Sequence, residues 1–503
     1  MRLLTTLTLV TLVACTGGTV GETQDPTNPT QNPEPPTTRP SNPTAGLGWA
    51  ACEPLTSSMK PGPECATWDV PLRWAEADTD PTIAFTVYRY VSDQAGDRGQ
   101  VWLLDGGPGG TGAGPGATEV VNRFTAEGWD VYIPSQRGTS GVDELRCTSQ
   151  DPEACHAELV DEWSLAGLAG FTTHEAALDT QNALADADDG RPQLLFGTSY
   201  GTYLAMRILQ IDDEIDGVIL DSSMTYAPDI WRAGVYTDDL MWALFASCAA
   251  DSDCADRFPV PVEEAVALVS DPNHCSDLDV EGRGGTIAQT VNLSPAVPLA
   301  LTSRLARCAP EDVQALDRLG SLFSGGPSLS WYFEGALNQN VYLNVVAHDF
   351  LPPFREEVRD DAIAEAAGLA FGNDSAARTF WQNREQWPVV KGFVADTSVP
   401  DAPPPVLVLQ GAMDLQTPVA WGETAADDLN GTIVTFPQIG HGVFPQDNCA
   451  QSISMAFLAD PSAPLDTSCA DALPGPDLTG ADDPYVGGFI NFALGLSELW
   501  PTL

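Results

Sequence analysis

Basic residues are scarce in this 503-residue chain. Only 22 lysines and arginines stand against 70 aspartates and glutamates, which gives a formal net charge of −48. A surface this negative repels phosphate backbones, and no basic stripe offsets it, so we predict that the protein does not bind nucleic acid. A cationic substrate is one interpretation of the charge. We favour the simpler one, a solvated surface suited to salty surroundings or to high solubility.

Metal-binding patterns and long apolar segments are also missing. The chain has five histidines and no C-x-x-C pair, and no ligand spacing recurs around His156 and His274, so we expect no metal site. The C-terminal apolar stretch contains Asn491 and Glu498, which favours a docked helix over a membrane span. No internal repeat is present.

The first residues carry the features of an export signal. An apolar stretch from Leu3 to Val13 is too short to span a bilayer, so 1–14 is expected to be a secretory signal peptide. Small residues directly before Cys15 resemble a bacterial lipobox, in which the cysteine is acylated; an ordinary signal peptide with an incidental cysteine is the alternative. The Pro- and Thr-rich segment 15–46 is predicted to be an extended tether. We expect a cell-envelope lipoprotein on the outer face of a bacterial membrane, held there by the lipid alone, or a secreted protein.

Ten cysteines remain once Cys15 is set aside. An even number of cysteines in an exported chain suggests disulfides, although the sequence does not fix their connectivity. The pairing that we expect joins neighbours along the chain: Cys52 with Cys65, Cys147 with Cys155, Cys248 with Cys254, Cys275 with Cys308, and Cys449 with Cys469.

Strand-like and helical patterns alternate in the first half of the chain. Short apolar runs that end in turn residues are typical of buried strands in a parallel sheet. With helical segments between the later runs, this order predicts an α/β fold, a mostly parallel sheet flanked by helices. The strand-like runs are 67–74, 82–91, 100–105, 128–134, 192–197, 215–224, 403–410 and 431–437.

The alternation stops between about 226 and 401, where the chain is rich in Trp, Ala, Pro and Cys and has the composition of several helices. The simplest arrangement is one sheet that the chain leaves for a helical cap after the sixth strand and to which it then returns. We therefore predict a first core part at 47–227, a cap at 228–401 and a second core part at 402–503.

Ser199 lies in Gly197-Thr198-Ser199-Tyr200-Gly201, which fits the pattern G-x-S-x-G. The pattern alone is weak, because three fixed positions recur by chance in a Gly-rich chain. Its placement strengthens it, since an apolar strand ends at Gly197 and a helix begins at about Tyr200. Such a serine is expected on a sharp strand-to-helix turn, where it serves as a nucleophile. A small residue in an ordinary turn is the alternative.

A serine nucleophile needs a base, and the base needs an orienting carboxylate. His441 follows the last strand-like run, and Asp414 follows the run before it. The carboxyl ends of strands form the edge where α/β sheets place their sites, and the chain order Ser, Asp, His is that of α/β-hydrolases. For Asp414 considered alone, the alternative is an ordinary loop or capping aspartate. For His441 considered alone, the alternative is a buried structural histidine.

Two backbone N–H groups are predicted to hold an oxyanion. The N–H of Tyr200, at the start of the helix, is one. In the loop LLDGGPGG the backbone of Gly106 or Gly107 can approach a substrate closely, and we choose the N–H of Gly107 as the second. A flexible Gly-rich loop is the alternative; phosphate binding is not favoured, because no lysine follows the glycines.

Together these motifs resemble a known family. DGGPGG is similar to the HGGPG loop, SQRGTSG to the DxRGxGxS turn and GTSYG to the nucleophile elbow of proline iminopeptidase-like α/β-hydrolases. The secreted tripeptidyl aminopeptidase-like members are closer still, because 172–179 matches their TT..AA.D pattern and GAMDLQTPVAWGE, GHGVF and FLADPSAPLDTSC resemble their C-terminal region. The likeness extends over about 52–469. It implies an α/β-hydrolase fold, a triad of Ser199, Asp414 and His441, and a cap that shapes the substrate pocket.

Two positions depart from the family pattern, and a third is a candidate for substrate binding. Asp105 stands where the family usually has His, and Ser135 where it usually has Asp. The segment 341–354 resembles a cap segment that is acidic in the family, so Asp349 is our candidate for binding the α-ammonium group of a peptide. An ordinary surface or capping aspartate is the alternative, and we assign His348 a structural role.

From these motifs and the resemblance we expect a serine hydrolase that removes short pieces from the amino end of peptides through an acyl-enzyme, with no metal or organic cofactor. Its partners would be peptides with a free N-terminus. An esterase or lipase on the same fold is the nearest alternative, because a triad does not distinguish amides from esters. An inactive lipoprotein that uses the fold for binding is another. The sequence leaves peptide preference and oligomeric state open.

Overall fold

The computed structural model describes residues 48–501, and the predicted signal peptide, Cys15 and the tether up to 46 lie outside the described residues. Within that range the residues that are not described are 93, 95–97, 113, 115, 150, 213, 279–282, 324–336, 352–355, 373–374, 391–394, 482–485 and 487–489.

The described residues form one nine-stranded sheet in the order β1-β2-β3-β5-β4-β6-β7-β8-β9. Strands β4 to β9 are mutually parallel, whereas β3 is antiparallel to both of its neighbours and β1 is antiparallel to β2. This mostly parallel sheet confirms the predicted fold class. The strands are β1 Ala50–Ala51, β2 Glu64–Pro71, β3 Thr82–Tyr90, β4 Gly99–Leu104, β5 Trp129–Pro134, β6 Gln193–Thr198, β7 Gly217–Asp221, β8 Val406–Gly411 and β9 Thr432–Phe436.

The central strands are apolar at successive positions because both faces of the sheet are covered. Every residue of β4, β5, β7 and β8 is buried. Leu194 and Phe196 of β6 face one hydrophobic cluster, and Leu195 between them faces another. Such continuous runs are typical of parallel strands with helices on both sides.

Helices cover both faces of the sheet. On one face, α1 and α15 contribute Phe124 and Phe457 to the core; on the other, α3, α4 and α14 contribute Leu184, Tyr203 and Ala425. The core helices are α1 Ala117–Ala126, α2 Pro152–Leu168, α3 Thr173–Ala187, α4 Tyr200–Leu209, α14 Val419–Asp428, α15 Asn448–Ala459 and α16 Ser468–Asp471.

The helical cap enters after β7 and ends before β8. The sequence placed it after the sixth strand; the structure adds β1 ahead of the predicted strands, because a two-residue Ala-Ala strand carries no pattern that a sequence can reveal. The cap helices are α5 Ala233–Ala250, α6 Ser252–Ala255, α7 Val262–Ala267, α8 Arg283–Gln289, α9 Ala296–Arg307, α10 Pro310–Phe323, α11 Gln339–Val345, α12 Glu356–Ala366 and α13 Ser375–Gln386. Among the helices that the structure describes, none is long and apolar enough to cross a membrane.

The cap has two hydrophobic environments. The part around Val345 and Trp387 packs into the main core beside the sheet. The part that contains α8 and α9 forms a separate cluster, and the C-terminal residues, including Trp500, belong to it. The Arg304 guanidinium also donates to the carbonyl of Leu499 at 2.7 Å. The end of the chain, which the sequence assigned to the second core part at 402–503, is therefore packed against the cap, with helix α17 at Asn491–Leu494.

Five disulfides join the ten cysteines, and their Cα–Cα distances span 5.2 to 5.9 Å. The pairing is the one expected from neighbours along the chain: Cys52–Cys65, Cys147–Cys155, Cys248–Cys254, Cys275–Cys308 and Cys449–Cys469. Each of these cysteines thus lies close to its expected partner in the structure.

Two helical glycines allow a test of the packing of α4 on the sheet. A Cβ atom at Gly201 would lie 2.0 Å from the carbonyl oxygen of Leu104, whereas one at Gly320 would meet nothing within 4 Å. We expect Gly201→Ala to destabilise the protein by about 1–3 kcal/mol or more through overpacking. Gly320→Ala should instead stabilise it, by about 0.5–1 kcal/mol of helix propensity.

Denaturant unfolding with the disulfides intact measures both free energies. If Gly201→Ala unfolds at the wild-type midpoint or above it, the close approach of α4 to β4 is wrong.

Candidate active site

The sheet register aligns the ends of five strands at one edge. Gly197 in β6 pairs with Leu104 in β4 and with Leu220 in β7. Asp221 at the end of β7 pairs with Leu409 in β8. The segments that follow β4, β6, β7, β8 and β9 therefore lie side by side, and each carries one of the residues described below.

Ser199 occupies the strained turn that the sequence predicts. It lies between β6 and α4 with φ 57° and ψ −123°. Residues other than glycine adopt such a positive φ only at a cost in free energy. The Ser199 N–H donates to the carbonyl of Asp221 at 3.0 Å. Gly106 packs directly against the serine, since a Cβ atom there would lie 3.3 Å from Ser199 Cβ. The turn presents the Ser199 side chain, which is only partly buried, at the carboxyl edge of the sheet.

Asp414 and His441 form the acid–base pair that the sequence predicts. His441 Nδ1 donates to Asp414 Oδ2 at 2.9 Å, which leaves Nε2 as the nitrogen that can act on the serine. Asp414 is fully buried and also accepts from the N–H groups of Gln416 at 2.8 Å and Thr417 at 3.0 Å, and from the Thr417 hydroxyl at 2.7 Å. With four donors around it, the carboxylate is fixed in place and its charge is stabilised.

Asp414 and His441 shift each other's pKa, and both shifts favour the charged forms of the two side chains. Burial alone would raise the pKa of Asp414, but the charge and hydrogen bond of His441, with the Thr417 bonds, outweigh it and hold the pKa below its usual value. Burial would lower the pKa of His441, but the carboxylate of Asp414 and the charge of Asp221 outweigh that effect and raise it. The histidine is thus a stronger base than a free imidazole.

Asp221 and Ser222 hold the histidine loop next to the serine turn, a role that the sequence did not reveal. The Asp221 carboxylate accepts from the N–H groups of Val443 at 2.7 Å and Phe444 at 2.9 Å, while its backbone carbonyl binds Ser199 N–H. Ser222 Oγ accepts from the N–H of Gly442 at 2.8 Å. The only sequence signal was the position of these residues at the end of a strand. One residue therefore connects the nucleophile with the loop that carries its base.

The sequence predicts two oxyanion donors, the N–H groups of Gly107 and Tyr200. Tyr200 is the first residue of α4, so its N–H has no carbonyl one turn earlier in the helix to bind. In the glycine loop, the N–H of Gly106 already donates to Asp105 Oδ1 at 2.9 Å. This favours the choice of Gly107, which is exposed, as the second donor.

The side chain of Asp105 binds backbone N–H groups of the glycine loop. Its Oδ2 accepts from the N–H groups of Gly112 at 2.9 Å and Gly114 at 3.2 Å. Burial raises the pKa of Asp105, and the backbone hydrogen bonds oppose that shift. Ser135, the other departure from the family pattern, is buried with its hydroxyl 3.3 Å from that of Ser140. Neither residue is part of the triad.

Asp349 is buried, with 7% of its surface exposed. Its Oδ2 accepts from both the N–H of Thr173, at 3.0 Å, and the Thr173 hydroxyl, at 2.8 Å. The structure thus gives this carboxylate a partner within the protein, and its role as an ammonium anchor stays a prediction. His348 is buried too, with Nδ1 2.9 Å from the carbonyl of Asn344. Among the described side chains, no group of three or more His, Cys, Asp or Glu is arranged to hold a metal ion.

The fold is that of an α/β-hydrolase, and the predicted nucleophile, acid and base follow β6, β8 and β9. Residues 370–469, which contain Asp414 and His441, match the family model described as TAP-like protein. Over these residues the match agrees with the resemblance to tripeptidyl aminopeptidase-like proteins that the motifs suggested.

Comparison with curated proteins gave no match. Among solved structures, the chain is similar to Rv0554 from Mycobacterium tuberculosis, with 14% identity and a TM-score of 0.38 over 79% of this chain and 100% of that chain. An esterase from Exiguobacterium antarcticum has 12% identity and a TM-score of 0.34 over 76% and 96% of the two chains. An acylaminoacyl peptidase from Pyrococcus horikoshii has 10% identity and a TM-score of 0.34 over 82% and 48%.

The pKa of His441 predicts the pH dependence of the site. The histidine is a base only when neutral, so activity falls as the pH drops through its pKa. Because that pKa is raised above 6.5, we expect the acid limb of the profile above pH 6.5. Asp221→Asn removes a charge that raises this pKa and should move the limb to lower pH. The measurement is the rate at which a fluorophosphonate probe labels Ser199, followed against pH.

Asp238→Asn is the control, because Asp238 is a buried carboxylate in the cap that binds the N–H groups of Phe371 and Gly372. Its acid limb should coincide with that of the wild type. A limb in Asp221→Asn that stays in place or moves to higher pH would show that Asp221 does not act on His441.

Proposed function

We propose that the protein is a serine hydrolase that acts on peptides from their amino end. The observation that carries the proposal is the Asp414–His441 hydrogen bond of 2.9 Å at the sheet edge where Ser199 holds its strained turn. The hydrogen-bonded pair and the serine turn follow three separate strands at one edge of the sheet, which supports acyl transfer by a serine.

The chemistry follows from these positions. Ser199 Oγ attacks the substrate carbonyl while His441 Nε2 takes the hydroxyl proton, and the N–H groups of Gly107 and Tyr200 hold the developing oxyanion. The C–N bond then breaks, and the same proton passes from His441 to the leaving amine. Water, deprotonated by His441, attacks the acyl-enzyme and restores the serine hydroxyl.

The motifs that resemble tripeptidyl aminopeptidases favour peptides with a free N-terminus. They include the region 370–469, which matches the TAP-like family model. Asp349 remains the candidate anchor for the α-ammonium group. An esterase on the same fold is the second candidate, because the triad serves esters equally well.

A panel of chromogenic amides separates these functions. We expect amides of short peptides with a free N-terminus to be cleaved, and the same peptides with an acetylated N-terminus to resist. Ser199→Ala should lower the rate by about 10⁶-fold, because the remaining site has no nucleophile.

Two other outcomes would contradict the proposal. Cleavage of p-nitrophenyl esters with no cleavage of any amide would make the protein an esterase. A wild-type protein that neither cleaves a substrate nor reacts with a fluorophosphonate at Ser199 would be a binding protein on a hydrolase fold.

We also propose that the protein is exported and held at the membrane by a lipid on Cys15. The lipobox-like residues before Cys15 and the Pro-rich segment after it support this, and the five disulfides suit an oxidising compartment.

In a bacterial host, the full chain should incorporate an alkyne fatty acid and partition into detergent. Cys15→Ser should lose both properties because no thiol remains to be acylated. Equal labelling of Cys15→Ser would exclude this anchor, and an unlabelled wild type found in the medium would point to an ordinary signal peptide.

A further inference from the structure

A chain of hydrogen bonds runs from the glycine loop, behind the nucleophile, to the cap. The N–H of Gly109 donates to Gln136 Oε1 at 2.8 Å, and Gln136 Nε2 donates to the hydroxyl of Tyr200 at 3.0 Å. Tyr200 donates to the Thr173 hydroxyl at 3.0 Å, which in turn donates to Asp349 Oδ2 at 2.8 Å. Four separate segments of the core, those of Gly109, Gln136, Tyr200 and Thr173, are thus connected to one carboxylate of the cap.

In each hydrogen bond of this chain, the donor and the acceptor can be assigned from the two groups that the bond joins. The Thr173 hydroxyl donates its single hydrogen to Asp349 Oδ2. Thr173 then accepts from Tyr200, whose hydroxyl stays protonated because burial raises its pKa far above the usual value. Tyr200 must therefore accept from the amide nitrogen of Gln136. All donors point toward Asp349, and such an ordered chain is more rigid than its separate bonds.

The same cap segment also holds the glycine loop directly. The N–H of Asn338 donates to the carbonyl of Gly109 at 2.9 Å, and Leu337 forms a β-bridge with Gly110. The segment continues through α11 into a π-helical turn, Val346–Phe350, which carries Asp349. Its apolar side chains are part of the main core beside the sheet. One element thus contacts both parts of the protein that supply oxyanion donors.

We propose that Asp349 is a positioning residue for the oxyanion hole. Through Thr173 it fixes Tyr200, and through Gln136 it fixes the loop that carries Gly107. This inference rests on the proposed serine chemistry, and it differs from an ammonium anchor because Asp349 then acts on the protein's own donors and not on the substrate.

The test measures how fast a fluorophosphonate probe labels Ser199 at saturating concentration. The probe carries no α-ammonium group, and its P=O oxygen must enter the oxyanion hole when phosphorus is attacked. Thr173→Val removes the hydroxyl with little change in volume, and Asp349→Ala removes the carboxylate. We expect both to lower the limiting rate by about tenfold or more, because a misplaced donor stabilises the oxyanion poorly. The half-saturating probe concentration should stay close to that of the wild type.

Two matched variants separate positioning from a loss of structure. Thr173→Ser keeps the hydroxyl and should recover most of the rate. Asp238→Asn weakens another buried carboxylate of the cap, one that binds the N–H groups of Phe371 and Gly372, and should leave the labelling rate unchanged. Thermal melting identifies any variant that has failed to fold.

The outcomes are distinct. Wild-type labelling rates in both Thr173→Val and Asp349→Ala would overturn this inference alone. If Asp349→Ala kept the labelling rate but raised the KM for peptides with a free N-terminus, Asp349 would be an ammonium anchor. A wild type that the probe does not label would overturn the proposed serine chemistry, and this inference with it.

Discussion

The close approach of helix α4 to strand β4 is the constraint on which the site depends. Gly201 lies so near the carbonyl of Leu104 that any side chain there would overlap it. This contact lets α4 begin immediately after β6, and the backbone makes that turn only by holding Ser199 at φ 57°. The same turn leaves the N–H of Tyr200 in the first turn of the helix, without a helical acceptor. The nucleophile and one oxyanion donor are thus two results of a single packing contact.

Buried carboxylates give the loops around this turn their conformation. Most acidic residues in a chain of net charge −48 are expected to be solvated, but Asp105, Asp221, Asp349 and Asp414 are largely or wholly buried at the site, and each accepts backbone N–H groups. Burying a charge costs free energy unless hydrogen bonds replace water. Here the replacement comes from loop amides that lack partners in a strand or helix. Each carboxylate therefore stabilises the conformation of its loop, as regular backbone hydrogen bonds stabilise a strand.

The sequence predicted those features that depend on local pattern and chain order. The turn at Ser199 was recognisable because a strand, two glycines and a helix are adjacent in the chain, and the five disulfides because they join close neighbours. Asp221 was missed because its carboxylate binds an N–H group 222 residues further along, and nothing in a strand-end aspartate indicates so distant a partner. The hydrogen bonds of Asp349 were not predictable for a related reason, since its partner Thr173 lies 176 residues earlier. The packing of the last residues on the cap also depends on distant contacts, with Arg304 as the main polar one.

The cap contacts the active site from two sides with different chemistry. On the oxyanion side the contact is a polar chain that ends at Asp349, within a segment packed into the main core. On the side of Asp414, which we call the acid side, the neighbouring residues Met413 and Leu415 pack against the separate apolar cluster of the cap. A Cβ atom at Gly440, beside His441, would lie 3.4 Å from Asn292 Oδ1 of the same part of the cap. Apolar contacts have no fixed direction, whereas hydrogen bonds do, so the acid side can change its side chains and shape without disturbing the oxyanion donors. The shape of the α8–α9 part of the cap is therefore freer to vary than that of the segment that carries Asp349.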